Sequence, residues 1–491
     1  MIREVPKTVQ KIAGRKNKKK NNSFIHDPRD HIGIWESTWW MKMDENIRLK
    51  NEYHHDLIRQ THFLRESIQL GRKPLGLLLG AGCPLAIQVP AENPKKALNA
   101  KDNKATTESM ADTRPLIPGI GEMTEQVIAN LTENAEHKKG IETLCAHLKQ
   151  TENPILEDYL THLRALISIS AGEEIRGLKA DEMVSLERAI CDEIFKLVNV
   201  SLPDKKGPYH QLAQWIGSVD REHSVELFTT NYDLLMEEAL EDLRVPYFDG
   251  FIGTKNPFFD PFAIDEEEMP KRWAGIWKLH GSINWKQEIT TRRVSRGDPS
   301  QIGEQERRLI HPSHLKYDES RRMPYLAMFD RLKSFMRKPS CLLVTIGFSF
   351  GDEHLNEIVR QSLERNTGAH CFGLLHGNLN PYEKAVNLAE KRSNLSLLAR
   401  NEAVIGGRRA PYPSKRKEEV EHPSTLEITW DPRTELTQDN EGFDGSGSSY
   451  LVAHFRLEDF ARFGSFLEDI VGGEHLLITR NDVRRELTDV S

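Results

Sequence analysis

Leu75-Gly76-Leu77-Leu78-Leu79-Gly80-Ala81-Gly82 is an apolar run that empties into a glycine turn, and its reading decides the fold. Such a run, bounded by glycine, reads as a strand buried on both faces, the kind found in parallel sheets covered by helices. Backbone without side chains at the strand's carboxyl end lets a phosphate approach the N–H groups, although a tight structural turn uses the same residues. The full dinucleotide fingerprint also wants a third glycine, an immediate helix and an acidic residue about 20 positions on. Here Cys83-Pro84 follow the glycines and the next stretch reads as polar loop, so an ordinary hydride-transferring dehydrogenase is disfavoured.

Outward from this run, Val225-Glu226-Leu227-Phe228 ends in Thr229-Thr230-Asn231-Tyr232-Asp233, ahead of a helical stretch from Leu234 to Leu240. Asn231 and Asp233 thus fall at a strand's carboxyl end, where open α/β sheets bind ligands, or else they cap the helix. Gly275-Ile276-Trp277-Lys278-Leu279 delivers His280-Gly281-Ser282 to the same edge. A lone histidine is most often a hydrogen-bonded structural residue. One that shares a sheet edge with an asparagine and an aspartate is a candidate for catalysis. Cys341-Leu342-Leu343-Val344-Thr345-Ile346 runs into Gly347-Phe348-Ser349-Phe350-Gly351-Asp352, with Asp352 set to cap the helix through Leu355 and Ile358. Small residues at this turn leave room for a ribose or adenine, as would a plain strand-to-helix turn. His370 to Leu375 reads as the last buried strand. The expected fold class is α/β: a Rossmann-like parallel sheet with helices on both faces, a helical insertion domain and a C-terminal extension.

These four strings, in this order, resemble the sirtuin-like superfamily. Gly80-Ala81-Gly82 matches its glycine turn, Thr229 to Asp233 its Asn/Asp motif, Lys278-Leu279-His280-Gly281-Ser282 its histidine motif, and Gly347-Phe348-Ser349 its second ribose-side turn. Arg114-Pro115-Leu116-Ile117-Pro118 and the helical Leu156 to Leu163 are phrases of the divergent bacterial branch of antiphage defence, some members of which are encoded beside HerA/FtsK-type ATPases. The resemblance covers about Leu75 to His376 and is nearer to that branch than to histone deacetylases. It implies an NAD+ glycohydrolase that depletes NAD+, a homo-oligomeric assembly and a HerA-type ATPase partner. It further implies NAD+ contacts at Gly80, Ala81, Gly82, Cys83, Thr230, Gly347 and Ser349, and catalytic roles for His280, Asn231 and Asp233. The chain departs from the family at Pro84, where a serine is usual. Its five cysteines, Cys83, Cys145, Cys191, Cys341 and Cys371, contain no Cys-x-x-Cys pair, so no metal site is expected. Lacking the zinc module that borders an acyl-lysine groove, the chain is expected to use water as acceptor. A protein deacylase or ADP-ribosyltransferase, and a non-catalytic NAD or ADP-ribose sensor, are the alternatives.

The residue types suit the chemistry. Breaking a nicotinamide–ribose bond builds positive charge on the ribosyl carbon, so a site must hold the sugar and bring water to one face. His280 can accept a proton from a ribose hydroxyl or water. Asn231 can orient either without adding charge, and Asp233 can bind a hydroxyl or stabilise the cation. Backbone N–H groups at Ala81, Gly82 and Cys83 would hold the pyrophosphate.

The 491-residue chain is 38% hydrophobic. Its mean hydropathy is −0.56. No apolar run approaches the roughly 18 residues of a membrane span. Scattered thiols and no evident signal peptide give a cytoplasmic expectation. A net charge of −7 argues against general nucleic-acid binding, leaving contact through a partner or the basic arm Arg15-Lys16-Asn17-Lys18-Lys19-Lys20. Three domains are expected: an N-terminal extension over 1–60 with Trp35, Trp39 and Trp40, a catalytic domain over 61–400, and a C-terminal extension over 401–491. Helical stripes over about 122–217 mark the insertion, in which the adjacent Glu157 and Asp158 are read as structural. The segment 88–113 reads as a lid or a disordered loop, Asn256 to Asp265 as a rigid loop, and Arg292 to Arg308 as an exposed charged stretch. Pro411 to His422 and Gly442 to Ser449 read as linkers. Phe460, Phe463, Phe466, Leu467 and Ile470 lie at helical spacing suited to oligomerisation or docking.

Overall fold

The four apolar runs form strands Leu75–Leu79, Val225–Thr229, Ala274–Lys278 and Leu342–Ile346, each buried at all five positions. The computed structural model describes residues 53–90, 113–151, 153–170, 172–265, 269–301, 303, 306–310, 324–416, 420, 424–432 and 450–472. Two cores explain the burial. Leu75, Leu77 and Leu79 point into one, Leu78 into the other, and Leu227 and Phe228 divide the same way. Every residue of such a strand meets a covering layer, so no polar alternation is needed.

These strands lie in a nine-stranded sheet. Its order is Arg408–Pro411, Glu402–Ile405, Leu395–Ala399, His370–Leu375, Leu342–Ile346, Leu75–Leu79, Val225–Thr229, Ala274–Lys278 and Tyr247–Phe248. Pairing is parallel from Leu395–Ala399 to Tyr247–Phe248, and Glu402–Ile405 and Arg408–Pro411 at the other edge of the sheet turn antiparallel. The chain fills one side of Leu75–Leu79 first, laying down the edge strand Tyr247–Phe248 before Ala274–Lys278, then crosses to Leu342–Ile346 and builds outward on the other. The switch point therefore lies between Leu75–Leu79 and Leu342–Ile346, the crevice where such sheets take ligands.

Helices Ile120–Glu133, Lys138–His147, Leu156–Ser170, Ala180–Val198 and Pro208–Ser218 fill the connection from the first strand to the second, as the helical stripes indicated. A second, antiparallel sheet runs Glu306–Ile310, Gly281–Glu288, Val294–Arg296, Phe258–Phe259 and Phe251–Ile252. It takes Phe258–Phe259 from the Phe-rich stretch, whose Pro261–Asp265 is a short helix, and Val294–Arg296 and the start of Glu306–Ile310 from the charged stretch. Among the described residues no helix is long and apolar enough to cross a membrane.

Several boundaries shift. The segment at 61 falls inside helix Leu57–Gln69, and the main sheet continues past 400 through a hairpin turned by Gly406 and Gly407, both at positive φ. Ser414–Arg416 is a strand of a three-stranded sheet, not linker. Phe460, Phe463, Phe466 and Leu467 of helix Phe460–Gly472 are buried within the chain, so that apolar face is already covered and is not a docking stripe. The ends of the supposed lid pair as Gln88–Pro90 with Thr113–Pro115. The basic arm, the three N-terminal tryptophans, 91–112 and Gly442 to Ser449 lie outside the described residues.

Candidate active site

Backbone meets backbone at the switch point. Gly80 N–H donates to Ile346 O at 3.0 Å, Gly82 N–H to Gly347 O at 2.9 Å and Cys83 N–H to Gly80 O at 3.0 Å. A Cβ on Gly80 would stand 2.3 Å from Gly347 O, and one on Gly82 would stand 2.7 Å from Gly347 Cα. Gly347 itself sits at φ +64°, where its own Cβ would stand 2.6 Å from Cys83 N. Glycine is required at all three positions by close approach of two turns. The N–H groups of Gly82 and Cys83 are thus committed within the fold, and Gly82–Leu85 forms a four-residue helix rather than the polar loop read from sequence. Cys83 is buried and its thiol is pushed well up by burial, which leaves it inert.

The second strand end is tied to the first by side chains. Thr229 Oγ1 donates to Leu79 O at 2.9 Å and accepts from Asn231 N–H at 3.0 Å. Asn231 Nδ2 donates to Gly80 O at 3.1 Å. Thr230 N–H reaches Leu79 O at 3.3 Å. Tyr209, from helix Pro208–Ser218, brings a buried hydroxyl that meets no hydrogen-bond partner at normal geometry and faces the Asn231 side chain. Sequence periodicity marks Tyr209 as nothing but a helix residue.

Asp233 points inward. It is 5% exposed, and its Oδ1 accepts from Leu235 N–H at 3.1 Å, closing the turn into helix Leu235–Asp242. Burial raises its carboxyl to about 6, opposed by the Lys278 ammonium. Lys278 in turn donates to Asp233 O and, at 3.0 Å, to Glu237 Oε1.

His280 follows its strand and precedes Gly281, at φ +95°, where the chain turns into Gly281–Glu288. Leu279 N–H donates to Thr229 O at 2.8 Å and Ile283 N–H to Tyr232 O at 3.0 Å, which holds the histidine beside the asparagine turn. The ring is 6% exposed, and Nε2 lies 2.9 Å from Asp352 Oδ2. Asp352 does cap its helix, Oδ1 accepting from His354 N–H at 2.7 Å and Leu355 N–H at 3.1 Å. The histidine contact lies 72 residues away in sequence and had no local signal. Ser349 is exposed, while Phe348 and Phe350 are buried, Phe350 at φ +56°.

The contacts close on themselves. The glycine turn holds Asn231, the asparagine turn holds the His280 segment, His280 meets Asp352, and the loop from Asp352 back to Gly347 returns to the glycine turn. Tyr232 also reaches the helical insertion, its hydroxyl 3.5 Å from Glu157 Oε1, so Glu157 borders the site rather than a remote helix surface. Among the described residues no group of three or more His, Cys, Asp or Glu side chains is gathered as a metal site. A neutral amide, an imidazole and a backbone cradle at one sheet edge can orient a polar substrate and move one proton.

No curated protein matches the chain. Among solved structures, it is similar to a mutant Sir2 homologue with ADP-ribose, at 14% identity, TM-score 0.27, covering 65% of this chain and 87% of that one. It is similar to a complex of Sir2 with p53 peptide and NAD+, at 12% identity, TM-score 0.28, covering 66% and 90%. A Sir2 homologue with NAD gives 13% identity, TM-score 0.28, and coverage of 65% and 85%. The model of one family, the SIR2-like domain, matches residues 225–396, which hold the asparagine, histidine and Gly347 motifs.

Proposed function

We propose that this chain hydrolyses NAD+ at the nicotinamide–ribose bond, giving nicotinamide, ADP-ribose and a proton. The observation that carries the reading is the closed circuit of contacts linking the glycine turn, Asn231 and His280 at adjacent parallel strand ends. In this reading Asn231 orients water or the ribose, and His280 accepts the proton as the C–N bond to nicotinamide breaks and a C–O bond to water forms. Asp233 contributes its charge from beneath the turn. Gly80, Ala81, Gly82, Cys83, Thr230, Gly347 and Ser349 line the dinucleotide side. With the Gly82 and Cys83 N–H groups engaged, the glycines serve chiefly by letting the substrate approach bare backbone. The SIR2-like match over 225–396 supports a sirtuin-type use of NAD+. Sequence resemblance to the defence branch supports the wider reading: a cytoplasmic, oligomeric effector that depletes NAD+ and is regulated by a HerA-type ATPase.

The test is NAD+ concentration in cells expressing the chain, with and without a neighbouring ATPase gene and phage challenge. Asn231→Ala and His280→Ala run in parallel, with folding checked by circular dichroism. Depletion lost in both folded variants is the expected result. Unchanged NAD+ in challenged, partnered wild-type cells sinks the hydrolase reading.

A further inference from the structure

We infer that Asp352 is a positioning residue that sets the tautomer of His280, so that Nδ1 carries the lone pair that takes the proton. The inference deepens the reading of His280 as base. Its ground is one carboxylate with two tasks: Oδ1 accepts two backbone N–H groups, from His354 and Leu355, and Oδ2 lies 2.9 Å from His280 Nε2. A carboxylate that accepts two N–H bonds at the start of the thirteen-residue helix Glu353–Arg365 is held in its anionic form by those donors and by the helix dipole. An anionic carboxylate only accepts, so Nε2 carries a proton, and in the neutral ring Nδ1 is then the nitrogen with the lone pair. When Nδ1 takes a proton from water or a ribose hydroxyl, the imidazolium that forms faces a fixed negative charge. The same arrangement makes the Ser–His–Asp triad work. Burial of the ring to 6% exposure keeps water from weakening the pair.

Asp352→Asn separates this role from capping. Asparagine is as good a helix N-cap as aspartate, so its oxygen keeps the bonds to His354 and Leu355. Its amide group then faces Nε2 and donates, which forces the proton onto Nδ1 and removes the base. The experiment is nitrogen NMR of the full chain labelled with ¹⁵N-histidine at mildly alkaline pH, the His280 signals identified by their loss in His280→Gln. Wild type shows Nε2 protonated, and Asp352→Asn shows a shift toward Nδ1–H with an unchanged melting midpoint. In the activated system the same variant loses roughly 10²- to 10⁴-fold in kcat with KM for NAD+ little changed, as wrong-tautomer variants of other histidine bases do. Asp352→Ala loses the cap as well and melts lower. An unchanged tautomer in Asp352→Asn overturns the inference whatever turnover does. A switched tautomer in a chain that never consumes NAD+ upholds the inference and defeats the hydrolase reading, so the two fail separately.

Discussion

Glu226 offers the sharpest test of how the sheet tolerates charge. It is fully buried in the middle of a parallel strand, and its carboxylate accepts from Arg331 Nε at 2.8 Å and Nη2 at 3.0 Å, Lys338 Nζ at 2.7 Å and Trp277 Nε1 at 3.0 Å. Glycines make the room. Gly76 and Gly275 are its register partners on the two neighbouring strands. A Cβ on Gly76 would stand 2.7 Å from the Phe335 ring, and one on Gly275 would stand 2.7 Å from Trp277 Nε1. Glu226→Gln keeps the shape but puts an NH2 group among donors and leaves two cations around one neutral oxygen. Removing one partner of a buried pair costs about 3–5 kcal/mol. Lys338, 25% exposed, can turn toward water, so the low end applies and about 3 kcal/mol is expected. The assay is urea unfolding followed by tryptophan fluorescence, with the midpoint lowered and the slope unchanged. Lys338→Met, at the partly exposed partner, should cost under about 1 kcal/mol. A Glu226→Gln midpoint within about 0.5 kcal/mol of wild type would refute the reasoning, because it would mean the donors never depended on a buried anion.

Asp233→Asn should change the pH dependence of stability. Burial raises the folded carboxyl to about 6 against an ordinary 3.8, so the folded state holds the proton longer and wild type loses stability as pH rises through this window. The variant lacks that loss, and its stability relative to wild type should increase by on the order of 2–3 kcal/mol from pH 4 to pH 7; a flat difference across the window contradicts the assignment. Gly347→Ala should destabilise more than Gly377→Ala. Both glycines have positive φ, but a Cβ at Gly377 meets nothing within 4 Å, whereas one at Gly347 stands 2.6 Å from Cys83 N. About 1 kcal/mol is expected at Gly377 and about 2–4 kcal/mol at Gly347 from thermal melts. Equal losses would show that the two turns yield easily.

The four central strands were legible because a strand buried on both faces must be apolar throughout, and Leu75–Leu79 and His370–Leu375 coincide with their readings residue for residue. Their order in the sheet was not, since strand pairing is a long-range choice that no local run encodes. Asn231 and His280 were legible as strand-end residues. Asp352 was legible only as a cap, because a cap is a contact three residues long and the His280 contact spans 72. Asp233 was legible as a strand-end residue and its burial was not: the motif shows where the residue sits, while its inward setting involves Lys278, 45 residues later. Glu226 is an acidic residue in an otherwise apolar run, and Arg331, more than a hundred residues on, is the partner that accounts for it. The second sheet was missed because short strands rich in Arg, Gln and Phe carry no clean alternation.

The C-terminal helix shows how a correct local reading can point to the wrong use. Helical spacing of Phe460, Phe463, Phe466 and Leu467 establishes an apolar face and says nothing of what covers it. Its cover is helix Pro208–Ser218. The Phe460 ring meets Tyr209 edge-on at 4.9 Å, and Gly464 lets the helices approach so closely that a Cβ there would stand 2.9 Å from Pro208 Cα. Tyr209 is the residue whose buried hydroxyl faces Asn231. The last described helix is therefore two side chains from the asparagine proposed to orient the substrate, and the intervening rings are close-packed. Interiors packed in this way move as units rather than deform smoothly. A partner that bound helix Phe460–Gly472 would consequently act by shifting the whole helix against Tyr209, because the apolar face of that helix is already covered. Control of the site through this helix would work through the core.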